Sequence, residues 1–408
     1  MRVSLVILIV FLVIDAALDF YIWKRSLNCR SPFWSRFQKY TALFLGLALI
    51  AVMIIPARKG PEYSLLSKMW LLFAYASIYL PKFIGVFFDF LASVPRLWGR
   101  KRLRWLTVTG IAVAVASFIA IWWGSLFNRF RTQTVEVEIP VQNLPHPFDG
   151  LRIVQFSDLH TGTFAGDTTF VSKLVDQING LAPDVIVFTG DIVNRESEEV
   201  LPYIKPLSRL RAPLGVYAIL GNHDYGDYRN WKSESDKQAN MPVLYDAYDR
   251  MGIDLLLNSH RWIRLEGDSL ALIGVENIGD PPFKTYGSLQ ASYPDLADSN
   301  VKVLLSHNPQ HWVDSIAGNK SVNIPLTLSG HTHAMQMEVG GVSPASLRYP
   351  TWGGRYDESM ISDAASDKKE ETQNVPAQLY VNIGAGTVGL PMRIGATPEI
   401  TVLTLRSR

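Results

Sequence analysis

Polar residues of the kinds that bind metal ions follow several predicted β-strands of this 408-residue chain. The first pair, Asp158 and His160, comes directly after a hydrophobic stretch, residues 151–156, that is typical of a buried strand. Because the carboxyl ends of strands converge along one edge of a sheet, we expect the residues after each strand to share one site. The arrangement recurs after four further strands, and the residues concerned are Asp158, His160, Asp191, Asn222, His223, Asp224, His307, His331 and His333.

The side chains of this set indicate which metals fit. Seven of its nine members, all except His223 and Asp224, are two aspartates, one asparagine and four histidines. They offer oxygen and nitrogen donors without sulfur, which suits Mn, Zn or Fe. Seven ligands are too many for one tetrahedral zinc, but they suit two divalent ions that share a carboxylate. Of the eight histidines, His146, His260 and His311 lie elsewhere and are expected to be ordinary surface or core residues. The single cysteine, Cys29, excludes an intramolecular disulfide and a cysteine-based metal site.

In chain order these residues form Asp-x-His, Gly-Asp, Gly-Asn-His-Asp, His and Gly-His-x-His. The series resembles the signature of the calcineurin-like metallophosphoesterases, over about residues 149–405. The resemblance implies an α+β fold, in which two sheets form an αββα sandwich, and two divalent metal ions. It also implies that one ion binds Asp158, His160, Asp191 and His333, while the other binds Asp191, Asn222, His307 and His331, so that Asp191 bridges them.

The C-terminal part of the chain, from residues 382–386 through Arg393 to residues 398–400, resembles a membrane-attached subgroup of that family. The subgroup often has a pair of glycines after the second histidine of Gly-His-x-His. Ala334 and Met335 stand there in this chain, a departure that affects the loop after His333 but removes no ligand.

The resemblance implies in-line attack on phosphorus by a hydroxide held between the two metals, which also neutralise the phosphoryl oxygens. His223 neighbours a ligand without being one, so it is the candidate to protonate or stabilise the leaving oxygen, with Asp224 holding its imidazole in the charged form. The alternative for His223 is support of the metal ligands. Arg393 is expected either to contact the substrate phosphate or to form an ion pair.

From residue 135 onward, short β-branched runs alternate with amphipathic stretches. Helices are predicted at residues 168–180, 197–209 and 242–251. Residues 334–378 fit neither the helical nor the strand period, and we interpret them as an excursion with a charged, solvated tip at residues 363–372. Strands are predicted at residues 135–139, 151–156, 185–189, 215–220, 271–275, 301–306, 326–329, 379–383 and 399–405.

The first third of the chain contains four apolar runs, each about long enough to cross a hydrocarbon core of ~30 Å. We predict an all-α transmembrane domain of four helices at residues 1–132, followed by the metallophosphoesterase domain at residues 133–408. A cleaved signal peptide is the alternative for the first run, which carries Asp15 and exceeds a usual signal core. The runs are residues 3–23, 41–57, 69–91 and 107–127.

Charge is distributed unevenly between the two predicted domains. Residues 1–132 have a net charge of +13, which leaves −11 for residues 133–408, since the whole chain is +2. The first and third loops of the membrane domain hold ten Lys and Arg, against six on the opposite side, and this asymmetry places those two loops in the cytoplasm. A multi-pass protein of the inner or plasma membrane is therefore predicted, with the catalytic domain on the outer, non-cytoplasmic side.

Ionisable residues within the predicted spans require partners. Asp15 and Asp19 lie one helical turn apart, and Lys82 lies about as far into the third span as Asp15 lies into the first. We therefore expect an Asp15–Lys82 pair that clamps the bundle, with a proton or lipid pathway as the alternative.

The negative charge of residues 133–408 argues against a nucleic-acid partner, because nucleic-acid binding requires a surplus of Lys and Arg. The short link between the domains favours an amphiphilic phosphoester, including a lipid-linked one, at the lipid bilayer. Tyr349, Pro350, Trp352 and Tyr356 form either a patch for that interface or a packed cluster. Small soluble phosphodiesters, a non-catalytic scaffold on a transport or sensor bundle, and a protein phosphatase are the alternatives.

The predicted orientation is testable with truncated reporter fusions. A reporter that is active only outside the cytoplasm should be inactive when fused after residue 40, at the end of the first loop, and active when fused after residue 132. The reason is the surplus of Lys and Arg in that loop. A cytoplasmic reporter should give the opposite pair of results, and cytoplasmic activity after residue 132 would overturn the orientation.

Overall fold

The computed structural model describes residues 5–26, 32–54, 62–281, 284–360 and 376–408. The chain forms two compact units, residues 1–127 with 389–392 and residues 128–388 with 393–408. The first unit thus ends five residues before the predicted boundary at residue 132 and includes a short segment from late in the chain. Predictions that involve Arg2, Cys29, Arg30, Arg58, Lys59 and the tip at residues 363–372 lie outside the described residues.

Helices make up the first unit, as its apolar runs predict. Within the described residues, two stretches, Leu65–Trp98 and Arg104–Phe130, are long and apolar enough to cross a membrane. A 3₁₀ helix, Val94–Trp98, follows the third helix and ends at Gly99. The four α-helices are α1 (Leu5–Ser26), α2 (Pro32–Ile54), α3 (Glu62–Ser93) and α4 (Arg104–Leu126).

The intramembrane lysine pairs with a different aspartate from the one expected. Lys82 Nζ lies 2.7 Å from Asp19 Oδ1, whereas Asp15 accepts hydrogen bonds from the Tyr75 hydroxyl at 2.9 Å. Tyr79 also donates to Asp19, so α1 and α3 run in the same direction with residues 15 and 75, and 19 and 79, at matching levels. Lys82 is then seven residues, ~10 Å, beyond the level of Asp15. The Asp15–Lys82 prediction was therefore wrong, while a clamp between α1 and α3 exists.

The second unit contains two six-stranded mixed sheets. The first has the order β1-β12-β2-β3-β4-β5 and the second β10-β11-β9-β8-β7-β6, with parallel pairing between β2, β3 and β4 and between β7, β8 and β9. The strands are β1 (Gln133–Val141), β2 (Arg152–Phe156), β3 (Val185–Phe188), β4 (Val216–Ala218), β5 (Asp254–Leu255), β6 (Ser259–Leu265), β7 (Asp268–Gly274), β8 (Lys302–Leu305), β9 (Leu326–Ser329), β10 (Gly354–Asp357), β11 (Gln378–Val381) and β12 (Glu399–Ser407).

Alternation along the strands divides the core into three layers. Ile153 of β2 and Val303 of β8 belong to the cluster between the sheets. Val154 points the other way, into a cluster with helices on the outer face of the first sheet. Trp312 packs on the outer face of the second sheet. This is the αββα sandwich, and its helices are α5 (Thr169–Gly180), α6 (Ile204–Leu207), α7 (Glu234–Met251), α8 (Leu289–Ser292) and α9 (Gln310–Ser315).

All nine predicted strands are present, and the three that the sequence did not predict, β5, β6 and β10, are edge strands. Edge strands bury fewer side chains, so their apolar pattern is weak, as the exposed residues of β6 show. The predicted helix at residues 197–209 is a 3₁₀ helix, Ser197–Tyr203, followed by α6, because Pro202 and Pro206 remove backbone donors. Helix α7 begins eight residues earlier than predicted, at a Ser233 cap.

Candidate metal centre

The predicted ligands meet where parallel strands of both sheets end. Asp158, His160 and His333 form one group whose donor atoms lie within 4.8 Å of one another, and Asp191, His307 and His331 form a second. The first group joins the loops after β2 and β9, whereas the second joins those after β3, β8 and β9. The structure thus draws on both sheets for each group.

Asp191 lies between the two groups. Its Oδ2 atom is 3.7 Å from His160 Nε2 of the first group and 3.2 Å from His307 Nε2 of the second. Asn222 belongs with the second group, since its Oδ1 atom is 3.1 Å from His307 Nε2. The seven predicted ligands are therefore all brought together, with Asp191 in the position that a shared carboxylate requires.

Backbone carbonyls hold two of the histidine rings. His160 Nδ1 lies 3.2 Å from the Val193 carbonyl, and His307 Nδ1 lies 2.7 Å from the Thr189 carbonyl. Donation from Nδ1–H to a carbonyl leaves the Nε2 lone pair toward the site, which is the usual arrangement of a histidine ligand. The His331 Nε2 atom lies 3.0 Å from the Tyr349 hydroxyl, and its Nδ1 atom faces His307.

The electrostatics favour an anionic Asp191 beside neutral imidazoles of His160 and His331. Burial raises the pKa of Asp191, but the nearby imidazoles of His307 and His223 outweigh that effect and hold the pKa well below its usual value. Burial also lowers the pKa of His160 well below its usual value, and burial together with His307 lowers that of His331 to about 4. Burial lowers the pKa of His307 too, yet Asp191 raises it to about 9. A set of this charge fits cations.

Several predicted ligand residues have backbone conformations that residues other than glycine seldom adopt. Left-handed φ angles cost of order 1–3 kcal/mol each for residues other than glycine, and they concentrate at functional sites. A Cβ on Gly330 would lie 2.4 Å from Asp158 Oδ2, so the chain also passes the ligands closely there. Five predicted ligands have positive φ angles: Asp158, 52°; His160, 48°; Asp191, 62°; His331, 75°; and His333, 51°.

His223 borders the ligand groups. Its ring stacks on Tyr228 at a centroid distance of 4.0 Å and meets the His160 ring edge-on at 4.8 Å. Its Nδ1 atom lies 2.7 Å from the Asn194 carbonyl, and burial lowers its pKa. The expectation that Asp224 holds this imidazole was wrong, because the backbone of Asn194 does so.

Asp224 instead joins two loops. Its fully buried carboxylate accepts backbone N–H groups from Asp191, Ile192, Val193 and Gly221 at 2.8–3.2 Å. Burial and the Asp191 carboxylate raise its pKa to about 7, and the backbone N–H groups oppose that rise. Asp224 therefore positions Asp191, the predicted bridging ligand, rather than the imidazole of its neighbour.

Comparison with known proteins agrees with this geometry. The family model described as calcineurin-like phosphoesterase matches residues 151–335, and one described as probable calcineurin-like phosphoesterase, transmembrane domain, matches residues 1–129. The uncharacterized metallophosphoesterase YkuE of Bacillus subtilis is 31% identical over 67% of this chain and 86% of its own length. The chain belongs to the calcineurin-like phosphoesterase family.

Two further relatives show the range of the family. A zebrafish (Danio rerio) transmembrane protein with metallophosphoesterase domain is 30% identical over 73% of this chain, which spans 62% of that relative's length. The UDP-2,3-diacylglucosamine pyrophosphatase LpxG of Chlamydia trachomatis is 28% identical over 64% of this chain and 86% of its own length. This calcineurin-like phosphoesterase is thus a membrane protein with a helical transmembrane domain ahead of an α+β catalytic domain.

The loop after His333 explains why glycines suit that position in a calcineurin-like phosphoesterase. Ala334 and Met335 have φ angles of 50° and 46°, in the left-handed region that glycine enters without cost. Ala334 is fully buried, whereas the Met335 side chain is 49% exposed. The departure from the glycine pair places two residues with side chains in this region and adds an exposed apolar side chain beside a predicted ligand.

Arg393 is a buried structural residue of this domain. Its guanidinium donates to the carbonyls of Gly386, Ala396 and Ile383 at 2.7–3.1 Å and lies 3.2 Å from His333 Nδ1. With no exposed surface it orders the loop behind His333 rather than reaching a substrate phosphate. Neither expectation for Arg393, phosphate contact or an ion pair, describes it.

The aromatic residues of the excursion are packed. Tyr349 is 9% exposed and contacts His331, Trp352 packs on a small cluster with Ala334, and Tyr356 packs against the outer core of the second sheet. The sequence did not identify Tyr228, Tyr349 or Asn194 as neighbours of the site. Their spacing in the sequence gives no signal. Asn194 contacts His223 through its backbone carbonyl, and Tyr228 and Tyr349 reach the site only because of how the loops fold.

The role of Asp224 predicts a loss of stability in Asp224→Asn. An amide nitrogen in place of one oxygen faces backbone N–H groups for which the described part of the chain provides no other acceptor, and this costs about 1–3 kcal/mol. Thermal unfolding of the full-length protein in detergent measures this. Asp176→Asn is the control, because its exposed pair with Arg209 contributes at most ~1 kcal/mol. An unchanged unfolding temperature in Asp224→Asn would contradict the role.

Proposed function

We propose that this chain is a membrane-anchored phosphoesterase with two divalent metal ions, Mn, Zn or Fe, that hydrolyses phosphoester or pyrophosphate bonds. The position of Asp191, whose Oδ2 atom lies 3.7 Å from one donor group and 3.2 Å from the other, carries this proposal. A non-catalytic scaffold would have lost ligands, whereas all seven are present and converge.

The donor set fits the metals by its chemistry. Asp158, His160, Asp191 and His333 would hold one ion, and Asp191, Asn222, His307 and His331 the other. Two bound ions would lower the pKa of a coordinated water and neutralise the charge of the phosphoryl oxygens. The Asp191 backbone, fixed by Asp224, sets where the shared oxygen lies.

His223 is the residue of this chain placed to handle the leaving group. Its Nδ1–H donates to the Asn194 carbonyl, which directs Nε2 away from that loop, and stacking on Tyr228 fixes the ring plane. A protonated Nε2 can donate its proton to the oxygen that leaves phosphorus, which is general acid catalysis. The catalytic assignment therefore includes His223, whereas Asp224 acts only through the backbone of the metal loops.

An amphiphilic or lipid-linked phosphoester is the substrate class we favour. The catalytic domain belongs to a chain with a transmembrane domain, and a relative, LpxG, is named for cleaving the pyrophosphate of a diacylated sugar nucleotide. The excess of acidic residues in this domain disfavours nucleic acid. Small soluble phosphodiesters are the second candidate. The loop charges support a location on the non-cytoplasmic side.

Metal analysis combined with a substrate screen tests the proposal. Wild-type protein should contain close to two divalent ions per chain and hydrolyse at least one class among phosphomonoesters, phosphodiesters and lipid pyrophosphates. Asp191→Asn should lose metal and at least ~100-fold in activity. Substitution of residues that only hydrogen-bond to metal ligands already lowers activity by up to ~100-fold, and a ligand should matter at least as much. Asp246→Asn, an exposed change of the same kind, is the control. Wild-type protein without metal and no more active than Asp191→Asn would overturn the proposal.

The assigned role of His223 predicts a dependence on the leaving group. His223→Asn should lower kcat by about 10²–10⁴-fold for alkyl phosphoesters, whose leaving oxygen needs a proton, and far less for nitrophenyl esters. His260→Asn is the matched control, since His260 hydrogen-bonds the Ser292 carbonyl away from the ligands. An equal loss with both kinds of ester would show that His223 only supports the ligands.

A further inference from the structure

An apolar segment, residues 335–347, leaves the candidate metal centre and returns to it. It begins two residues after the ligand His333 and ends two residues before Tyr349, whose hydroxyl lies 3.0 Å from His331 Nε2. Glu338 is its one charged residue. Both ends of the segment are thus attached to the metal site, while its middle is nearly free of charge.

The middle of the segment is a tight hairpin. Val339 and Val342 exchange backbone hydrogen bonds of 2.9 and 3.2 Å, and the two residues between them, Gly340 and Gly341, have φ angles of 61° and 79°. Positive φ at both central positions defines a type I′ turn, which favours glycine. The turn is therefore specified by its sequence.

The base of this hairpin is fixed to the C-terminal part of the second unit. The Glu338 N–H donates to the Ile394 carbonyl and the Ile394 N–H donates to the Gln336 carbonyl, each at 2.8 Å. The Ser343 hydroxyl donates to the Ala334 carbonyl at 2.6 Å. An apolar tip on a fixed base loses little conformational entropy when it binds.

The side chains of this segment are exposed to an unusual extent for apolar residues. Val339 and Val342 are each 67% exposed, Leu347 is 91% exposed and Met335 is 49% exposed. Several exposed apolar residues within one short segment that carries a single charge mark a surface for a protein, a ligand or a membrane.

We infer that residues 335–347 contact the lipid bilayer and hold the metal centre at the membrane surface, where a phosphoester headgroup reaches it. The same chain carries a transmembrane domain, and six residues link Leu126, the end of α4, to Gln133, the start of β1. A bilayer is therefore within reach of this unit, and exposed apolar side chains next to the charged residues Glu338 and Arg348 fit its interface. The part of the inference that concerns a phosphoester headgroup rests on the proposed function, whereas the membrane contact does not.

Membrane contact is measured without activity by fluorescence. In a Cys29→Ser background, which removes the single native cysteine, Val342→Cys carries a polarity-sensitive fluorophore in full-length protein reconstituted in phosphatidylcholine nanodiscs. Its emission should shift to shorter wavelength and be quenched by doxyl-labelled phosphatidylcholine. Lys320→Cys, an exposed position of the same unit, should show neither effect. Water-like, unquenched emission at position 342 would overturn the inference.

Activity gives an independent readout. The triple variant Val339→Ser, Val342→Ser and Leu347→Ser should lose about tenfold or more on a lipid phosphoester in vesicles, because less apolar surface enters the interface. Its activity on a soluble nitrophenyl phosphodiester and its unfolding temperature should match wild type. Leu201→Ser, an exposed apolar residue outside the segment, is the control.

The outcomes separate the two proposals. Equal activity of the triple variant and wild type on the vesicle substrate would count against the membrane contact. Wild-type protein inactive on every phosphoester would refute the enzyme itself, and the fluorescence measurement would still decide the contact. If the wild type hydrolysed only soluble esters, a lipid substrate would be excluded. Quenching at position 342 would then show that the segment contacts the membrane although the substrate is not a lipid.

Discussion

The geometry of the candidate metal centre depends on the hydrogen bonds that the Asp224 carboxylate accepts from the backbone. It accepts backbone N–H groups from the loop after β3 and from the loop after β4, so it fixes Asp191 and Asn222 relative to each other. Parallel strands bring the loops to one edge of a sheet, but only such a shared acceptor sets them within tenths of an ångström. Asp191 can lie between the two groups of predicted ligands because its backbone N–H donates to the Asp224 carboxylate, which fixes its position.

The sequence predicts this site well because strand ends and metal donors are both local signals. Each ligand follows a short, strongly apolar strand of a sheet interior, and those strands were all identified. Edge strands such as β6 were missed because they have neither a continuous apolar run nor a strict alternation. In β6 only Ile263 is buried, while Arg261, Trp262 and Arg264 are exposed. What the sequence predicts is therefore the buried part of the fold and the loops that leave it.

The hydrogen-bond and ion-pair partners of individual side chains could not be predicted from the sequence. Lys82 was assigned to Asp15 from depth alone, whereas the parallel register of α1 and α3 places it beside Asp19. Asp224 was assigned to its neighbour His223, but adjacent residues of a tight loop point in different directions, and the Asn194 carbonyl takes the imidazole. Both errors have one cause. Spacing along the chain shows which residues lie in the same region, whereas hydrogen-bond partners depend on the relative orientation of whole elements.

Backbone strain connects the metal centre with the apolar segment. Left-handed residues persist only where surrounding contacts hold them, as the N–H groups of His331 and Gly386 do around Asp158. Position 335 is different, because a glycine there would relieve the strain without removing a ligand. Its methionine instead contributes exposed apolar surface next to Val339 and Val342 in sequence. The energetic cost of a side chain at this position is accounted for if that surface lies against lipid.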